Sequence, residues 1–243
     1  MLGDGFHDIP PGKVAAIVTH LEMREPAPLR PVPAPDGLEL RRVRDPEPDW
    51  YRDLFTRVGA LDWLWFSRLR MPQEALAEII RDPDVEVYGL FRGDRAEGLL
   101  ELDFREPGEC ELAFLGVTPA LIGTGAGRFL MNEAITRAWA RPIGRFHVHT
   151  CTLDHPGALS FYRRSGFMPV RQQVEIADDP RLTDGFPETA GPHVPIFRPE
   201  AAGDTCRVMC CLGRDRRFRI ACAIRPGRGG AAPSRSPGVF EAR

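Results

Sequence analysis

The chain has 243 residues, 43% of them hydrophobic and 27% charged, a composition that excludes wholesale disorder and allows a sizeable core in one large or two small domains. Thirty-two basic against thirty-four acidic residues leave a net charge of −2, which excludes a charge-driven nucleic-acid binder, so any bound anion must be held locally. The longest apolar run near the N-terminus, Val14 to Val18, is about a quarter of a membrane span; no membrane partner is expected, and six cysteines without a secretory signal read as reduced thiols of a cytoplasmic protein.

In chain order, Val14 to Met23 is rich in β-branched and apolar residues and predicts a strand. Pro26, Pro28, Pro31, Pro33 and Pro35 then form an extended spacer, because each proline fixes its own φ and pushes its predecessor out of the helical region. Residues 1–37 therefore read as an N-terminal extension with one added strand. A short strand opens at Leu38, Leu40 and Val43, and Trp50, Leu54, Phe55 and Val58 follow at helical spacing behind a cap-like Asp49. Pro72, at a first helical position, and Leu76, Ile79 and Ile80 predict a second helix. The aromatic run Trp63-Leu64-Trp65-Phe66 between them packs helix against helix or walls a substrate pocket.

Val85 to Phe91, Gly98 to Phe104 and Cys110 to Val117, separated by Gly93-Asp94 and Pro107-Gly108 turns, predict three antiparallel strands in meander. A Gly-rich turn leads into an amphipathic helix carrying Leu130, Met131, Ala134, Ile135 and Ala138. Phe146 to Leu153 reads as a strand, Pro156 as the start of a helix closed by a left-handed Gly166, and Val170 to Ile176 as a last strand. The fold class is α/β, a three-layer mixed sheet with helices on both faces, over residues 38–177. Residues 178–243 read as a largely disordered tail, with short apolar runs at Cys206 to Leu212 and Phe218 to Ile224.

Chemistry concentrates at Leu115-Gly116-Val117-Thr118-Pro119-Ala120-Leu121-Ile122-Gly123-Thr124-Gly125-Ala126-Gly127-Arg128. A helix N-terminus presents unpaired N–H groups and about half a positive charge, and glycines let an anion reach the backbone. The dinucleotide fingerprint fails because its third glycine falls on Arg128 or Leu130, and a Walker loop fails for want of Gly-Lys. The stretch instead resembles the acyl-CoA loop of the GNAT acetyltransferase superfamily, in which a strand ending in Val-x-Pro precedes Gln/Arg-x-x-Gly-x-Gly/Ala at a helix start. Ile122 departs from the usual polar first residue, which removes a side chain but not the backbone cradle. A second block, His155-Pro156-Gly157-Ala158-Leu159-Ser160-Phe161-Tyr162-Arg163-Arg164-Ser165-Gly166-Phe167, resembles the family's Asn-x-x-Ala-x-x-x-Tyr-x-x-x-Gly-Phe helix, with His155 at the asparagine position. The resemblance spans residues 38–176.

It implies strands splayed at an acyl-CoA site, an acetyl group taken from acetyl-CoA as co-substrate, and an amine acceptor, small-molecule or peptide, attacking the thioester directly. It places the CoA at Leu115, Val117, Ile122, Gly123, Thr124, Gly125, Ala126, Gly127, Arg128 and His155. Glu111 stands where some members carry a glutamate base, with a pKa raised by partial burial; its alternative is a rim carboxylate facing water. Tyr162 matches the tyrosine that serves the departing thiolate; its alternative is packing on the sheet. The different-class alternative for the whole chain is a CoA-binding module without turnover. His147, His149 and Cys151 alternate along one strand and share a face, but no further ligand pair accompanies them, so no metal is expected. A homodimer is compatible with this reading.

Overall fold

The computed structural model describes residues 3–200; the apolar runs at Cys206 to Leu212 and Phe218 to Ile224 lie outside the described residues. Seven strands form one open sheet: β1 (Lys13–Met23), β2 (Glu39–Val43), β3 (Val85–Arg92), β4 (Arg95–Asp103), β5 (Glu109–Val117), β6 (Arg145–Cys151) and β7 (Met168–Asp178). Their order is β2-β3-β4-β5-β6-β1-β7. Every pairing is antiparallel except that of β5 with β6. The helices are α1 (Pro48–Phe55), continued by a wider turn at Thr56–Ala60, α2 (Ser67–Arg70), α3 (Gln73–Ile80), α4 (Ala126–Ala138), α5 (Ala158–Arg164) and α6 (Pro180–Thr183). None of them is long and apolar enough to cross a membrane.

Alternation along the central strands sorts side chains onto two faces. Leu100, Leu102, Leu112, Phe146 and Val148 meet Leu130, Met131 and Ala134 of α4 on one face. On the other, Val87 and Leu99 meet Tyr51, Leu54 and Phe55 of α1 and Leu76 and Ile80 of α3. The meander and both helix faces expected from periodicity are present. Asp49 caps nothing: the helix starts one residue earlier, where Pro48 supplies a pre-set φ and Asp49 sits in the first turn.

Two expected boundaries are corrected. The N-terminal strand is not an appendage, because β1 lies inside the sheet, antiparallel to both β6 and β7. Local sequence signals a strand but not its partners. Residues 179–194 are not a loose tail either. Phe186 and Ala190 close a third buried cluster with Ala16, Leu64 and Leu153. Gly191, at φ +55, lies so close to Leu64 that a Cβ there would stand 2.5 Å from the Leu64 Cγ.

What holds this strap is a buried ion pair. The Asp179 carboxylate accepts from Arg181 Nε at 2.9 Å and Nη2 at 2.7 Å, while Arg181 Nη1 donates to the carbonyls of Ala190 at 3.1 Å and Val194 at 2.7 Å. Burial pushes the Asp179 carboxyl up, but the hydrogen bonds from Arg181 outweigh it and hold the group below its ordinary value. Removing the arginine leaves a carboxylate buried and unpaired, which costs about 3–5 kcal/mol, whereas an exposed pair such as Lys13–Asp178 is worth about 0–1 kcal/mol. Chemical denaturation of Arg181→Met is therefore expected to show a loss in that larger range, and Lys13→Ala almost none. Equal effects would contradict the clamp.

Candidate active site

The one parallel pair in the sheet is short. β5 and β6 are in register only at Glu109 with Arg145, Cys110 with Phe146 and Glu111 with His147. Beyond Glu111 the strands part. A bulge helps to turn β5 away, since Glu101 opposes Phe114 and Leu102 opposes Leu112, leaving Ala113 as the extra residue. Among the described residues β5 pairs with β4 alone from Leu112 onward, so its edge toward β6 offers unpaired backbone groups.

A cavity of about 340 Å³ lies at this parting and is lined by residues from both faces of the sheet. From the α4 face it is lined by Leu112, Leu115, Val148 and Tyr162, and from the α1 face by Glu111, Phe114, His149 and Trp65. Glu111 and His149 meet there. His149 Nδ1 donates to Glu111 Oε1 at 3.2 Å, because a carboxylate can only accept, and Nε2 has no partner among the described residues. That hydrogen bond, with the charge of the imidazolium, holds the Glu111 carboxyl below its ordinary value despite burial. The same bond raises His149 above its ordinary value near 6.5, against an opposing effect of burial. The expectation of a raised Glu111 is thus corrected: a cationic neighbour outweighs desolvation.

Tyr162 approaches from α5, edge-on to Phe161 at 5.7 Å and to Phe167 at 6.1 Å. Burial, and secondarily the charge of Asp154, raise its pKa, so the hydroxyl stays protonated. It donates to no acceptor among the described residues.

The glycine-rich loop leaves β5 through a single 3₁₀ turn, Pro119–Leu121. Gly125 takes φ +90 as the residue before α4, a left-handed conformation that a side chain would strain. The Thr124 hydroxyl donates to the Leu121 carbonyl at 2.8 Å and braces the turn. The N–H groups of Gly123, Gly125, Gly127 and Arg128 find no backbone acceptor among the described residues. Among the described residues nothing lies within 4 Å of a Cβ built on Gly123 or Gly127, so they leave open the space an anion needs. Ile122 points outward, 64% exposed, and Val117 ends β5 against the α4 core.

Of the expected residues, the structure brings Glu111, Leu115 and Tyr162 to the one cavity and gathers Ile122 to Arg128 at the start of α4. His155 stands apart from both. It lines a neighbouring cavity of about 730 Å³, packs edge-on to Trp63 at 5.2 Å, and accepts the Gly157 N–H on Nδ1 at 2.9 Å. The aromatic run does both kinds of work: Leu64 is buried in the strap cluster with Phe66 packed against it, and all four residues from Trp63 to Phe66 line the cavity. Among the described residues no three His, Cys, Asp or Glu side chains are grouped as metal ligands.

Sequence reading missed two anchors. Glu101, fully buried on β4, accepts from the Tyr51 hydroxyl and from Arg68 Nη2, tying α1 and α2 to the sheet beneath Phe114, whose ring lies 5.2 Å from the Arg68 guanidinium. Its signal was one acidic residue inside Gly98-Leu99-Leu100-Glu101-Leu102. Asp154 accepts from Trp65 Nε1 at 2.7 Å, Thr150 Oγ1 at 2.6 Å and the Cys151 N–H at 2.9 Å, and so aims the indole. No local pattern signals it.

Residues 47–167 match the family described as Acetyltransferase (GNAT) family. Over 66 residues the chain is 38% identical to the mycothiol acetyltransferase of Jonesia denitrificans, a match covering 27% of this chain and 21% of that protein. Solved structures similar to it include a GCN5-related N-acetyltransferase from Sphaerobacter thermophilus, at 16% identity and a TM-score of 0.49 over 70% of this chain and 53% of that one. Another is the GCN5-related N-acetyltransferase from Kribbella flavida, at 18% identity and a TM-score of 0.47 over 71% of this chain and 63% of that one. The matched family segment runs from the start of α1 to the end of the α5 block and so contains the parted strands and the glycine loop, and by that match the chain belongs to the acetyltransferase (GNAT) family.

Proposed function

We propose that the chain is an acetyl-CoA-dependent N-acetyltransferase that moves an acetyl group to the amine of a small-molecule or peptide acceptor. The observation that carries this reading is the cavity at the parted strands, lined by the Glu111–His149 pair and by Tyr162. The residues present suit the donor: the N–H groups of Gly123, Gly125, Gly127 and Arg128, without a backbone acceptor among the described residues and with the helix dipole behind them, fit a pyrophosphate, and the edge of β5 beyond Glu111 fits an extended amide-bearing arm. Bound there, acetyl-CoA supplies the thioester-activated acetyl group.

The chain's own groups then divide the proton work. Glu111, ionised and held low, is a weak proton acceptor; its part is to fix the His149 tautomer and raise its basicity, leaving Nε2 to take the acceptor's ammonium proton. Tyr162 is too weak an acid to surrender its proton to a thiolate of ordinary pKa near 8.5, so it acts as a hydrogen-bond donor to the departing sulfur. Glu111 is accordingly a positioning residue rather than the base expected from sequence. The different-class alternative, binding without turnover, is separated by free-thiol release with acetyl-CoA over a panel of amines: release above background with at least one amine supports the enzyme, and tight CoA binding with no release across the panel contradicts it.

Substitution of Gly127 tests the donor site without straining the fold, because its Cβ position is open. Gly127→Val is expected to keep the wild-type melting temperature and lose roughly a hundredfold in CoA affinity by calorimetry, equivalent to about 2–3 kcal/mol. Unchanged affinity would remove the loop from the donor site.

The pH dependence tests the pair. Since His149 must be neutral to accept a proton and its pKa is raised, kcat/KM is expected to climb through an ionisation above pH 6.5. In Glu111→Gln the raising charge is gone, so that limb should move to lower pH while the plateau falls about 10²–10⁴-fold. Tyr162→Phe should lower kcat and leave CoA affinity intact. An acidic limb that does not shift in Glu111→Gln would contradict the assignment.

A further inference from the structure

A second cavity, of about 730 Å³, adjoins the first, since Trp63, Cys151 and Asp154 line both. It is completed by elements outside the family segment 47–167: Ile17 and Thr19 of β1, Gln172 of β7, and Pro192 and His193 of the strap. None of these five residues has a part in the acetyl transfer. Ile17 and Leu159, which also line it, are 43% and 38% exposed, apolar surface that an occupant would cover.

The wall between the two cavities is built under strain. The turn after α1 widens at Thr56–Ala60, and Leu64 takes φ +51, a left-handed conformation that a leucine holds only where its surroundings impose it. The strap imposes it, packing Phe186 and Ala190 around the Leu64 side chain. On either side of that reversal, Trp65 lines the first cavity only, whereas Trp63 stands between the two. Two imidazoles fix the Trp63 indole, His155 edge-on at 5.2 Å and His193 tilted at 5.5 Å. His193 is itself tied down, its Nε2 donating to the Leu153 carbonyl at 3.1 Å.

The charge of the cavity selects its occupant. Asp62 and Asp154 line it, and among the described residues no arginine or lysine does, in a chain that has 32 of them. Asp154 is taken up by Trp65, Thr150 and Cys151, whereas Asp62 is exposed and has no hydrogen-bond or ion-pair partner among the described residues. An ammonium group placed there meets a carboxylate and an indole together, with apolar side chains behind them. We propose that this cavity is a subsite for the end of the acceptor remote from the reacting amine, and that it selects acceptors whose apolar body ends in a second positive charge. Asp62 pairs with that charge and Trp63 presents its ring to it. The proposal rests on the acetyl-transfer reading, in which the reacting amine gives up its proton to His149 in the adjoining cavity.

Octamethylenediamine, octylamine and the corresponding amino alcohol share one apolar body, and only the diamine carries a second charge. By free-thiol release with acetyl-CoA, kcat/KM for the diamine is expected to exceed that for either of the others about tenfold, through KM, against the factor of about two that a second reacting end gives by itself. Asp62→Asn should bring the ratio down to that factor without changing the melting temperature, and Trp63→Leu, which keeps apolar bulk but removes the ring, should lower it as well. Release with all three compounds and no such preference, or a preference that survives Asp62→Asn, would overturn the subsite and leave acetyl transfer standing. No release with any amine would contradict the transfer, and calorimetry of the diamine without donor then decides the cavity. Binding that weakens about tenfold in Asp62→Asn upholds it, and binding that is absent or indifferent to the substitution overturns it.

Discussion

Everything at the site depends on two strands ceasing to pair. β5 and β6 are held together for three residues and then separate, with the bulge at Ala113 bending β5 just where pairing ends. A continuous sheet would place Tyr162, on the α5 side, and His149, on the α1 side, in different worlds. The parting lets one cavity reach both. It also frees a stretch of strand edge that a polar, extended ligand can complete, and it lies directly upstream of a helix whose N-terminus favours anions.

A sheet opened in its middle needs bracing on both sides. On the α1 side the brace is polar: Glu101 draws together the Tyr51 hydroxyl and Arg68, and burial together with the carboxylate keeps the tyrosine protonated. Arg68 also places a cation over Phe114, directly after the bulge. At the open end the brace is the strap after β7, clamped by Asp179 and Arg181, which packs Phe186 and Ala190 against Leu64 and so fixes the loop that carries Trp63 and Trp65. Asp154 then orients the Trp65 indole. The aromatic wall is thus rigid because distant segments converge on it, although the wall is a loop.

Legibility followed interaction range. The meander β3 to β5, the glycine loop and α4 were readable because their signals are local: period-two alternation, paired turn residues, glycines before an amphipathic run. The place of β1 was not readable, since a strand's own residues do not specify its neighbours. The boundary at 178 failed for a related reason: Pro- and Gly-rich composition suggested disorder, and the ordering contacts of Arg181 run to carbonyls ten and more residues away. Position singled out Glu111, but the sign of its pKa shift depended on His149, which lies 38 residues further on. Glu101 was visible as an acid in an apolar strand, though nothing local named its partners.

The central claim is that Glu111 and His149 act as one unit, with the histidine carrying the titrating proton. Nuclear magnetic resonance of the His149 imidazole measures that directly. The account predicts a pKa above 6.5 in the native chain and a fall in Glu111→Gln, with Nδ1 as the protonated nitrogen in the neutral form. A His149 that titrates at or below 6.5 and is indifferent to Glu111→Gln would contradict it.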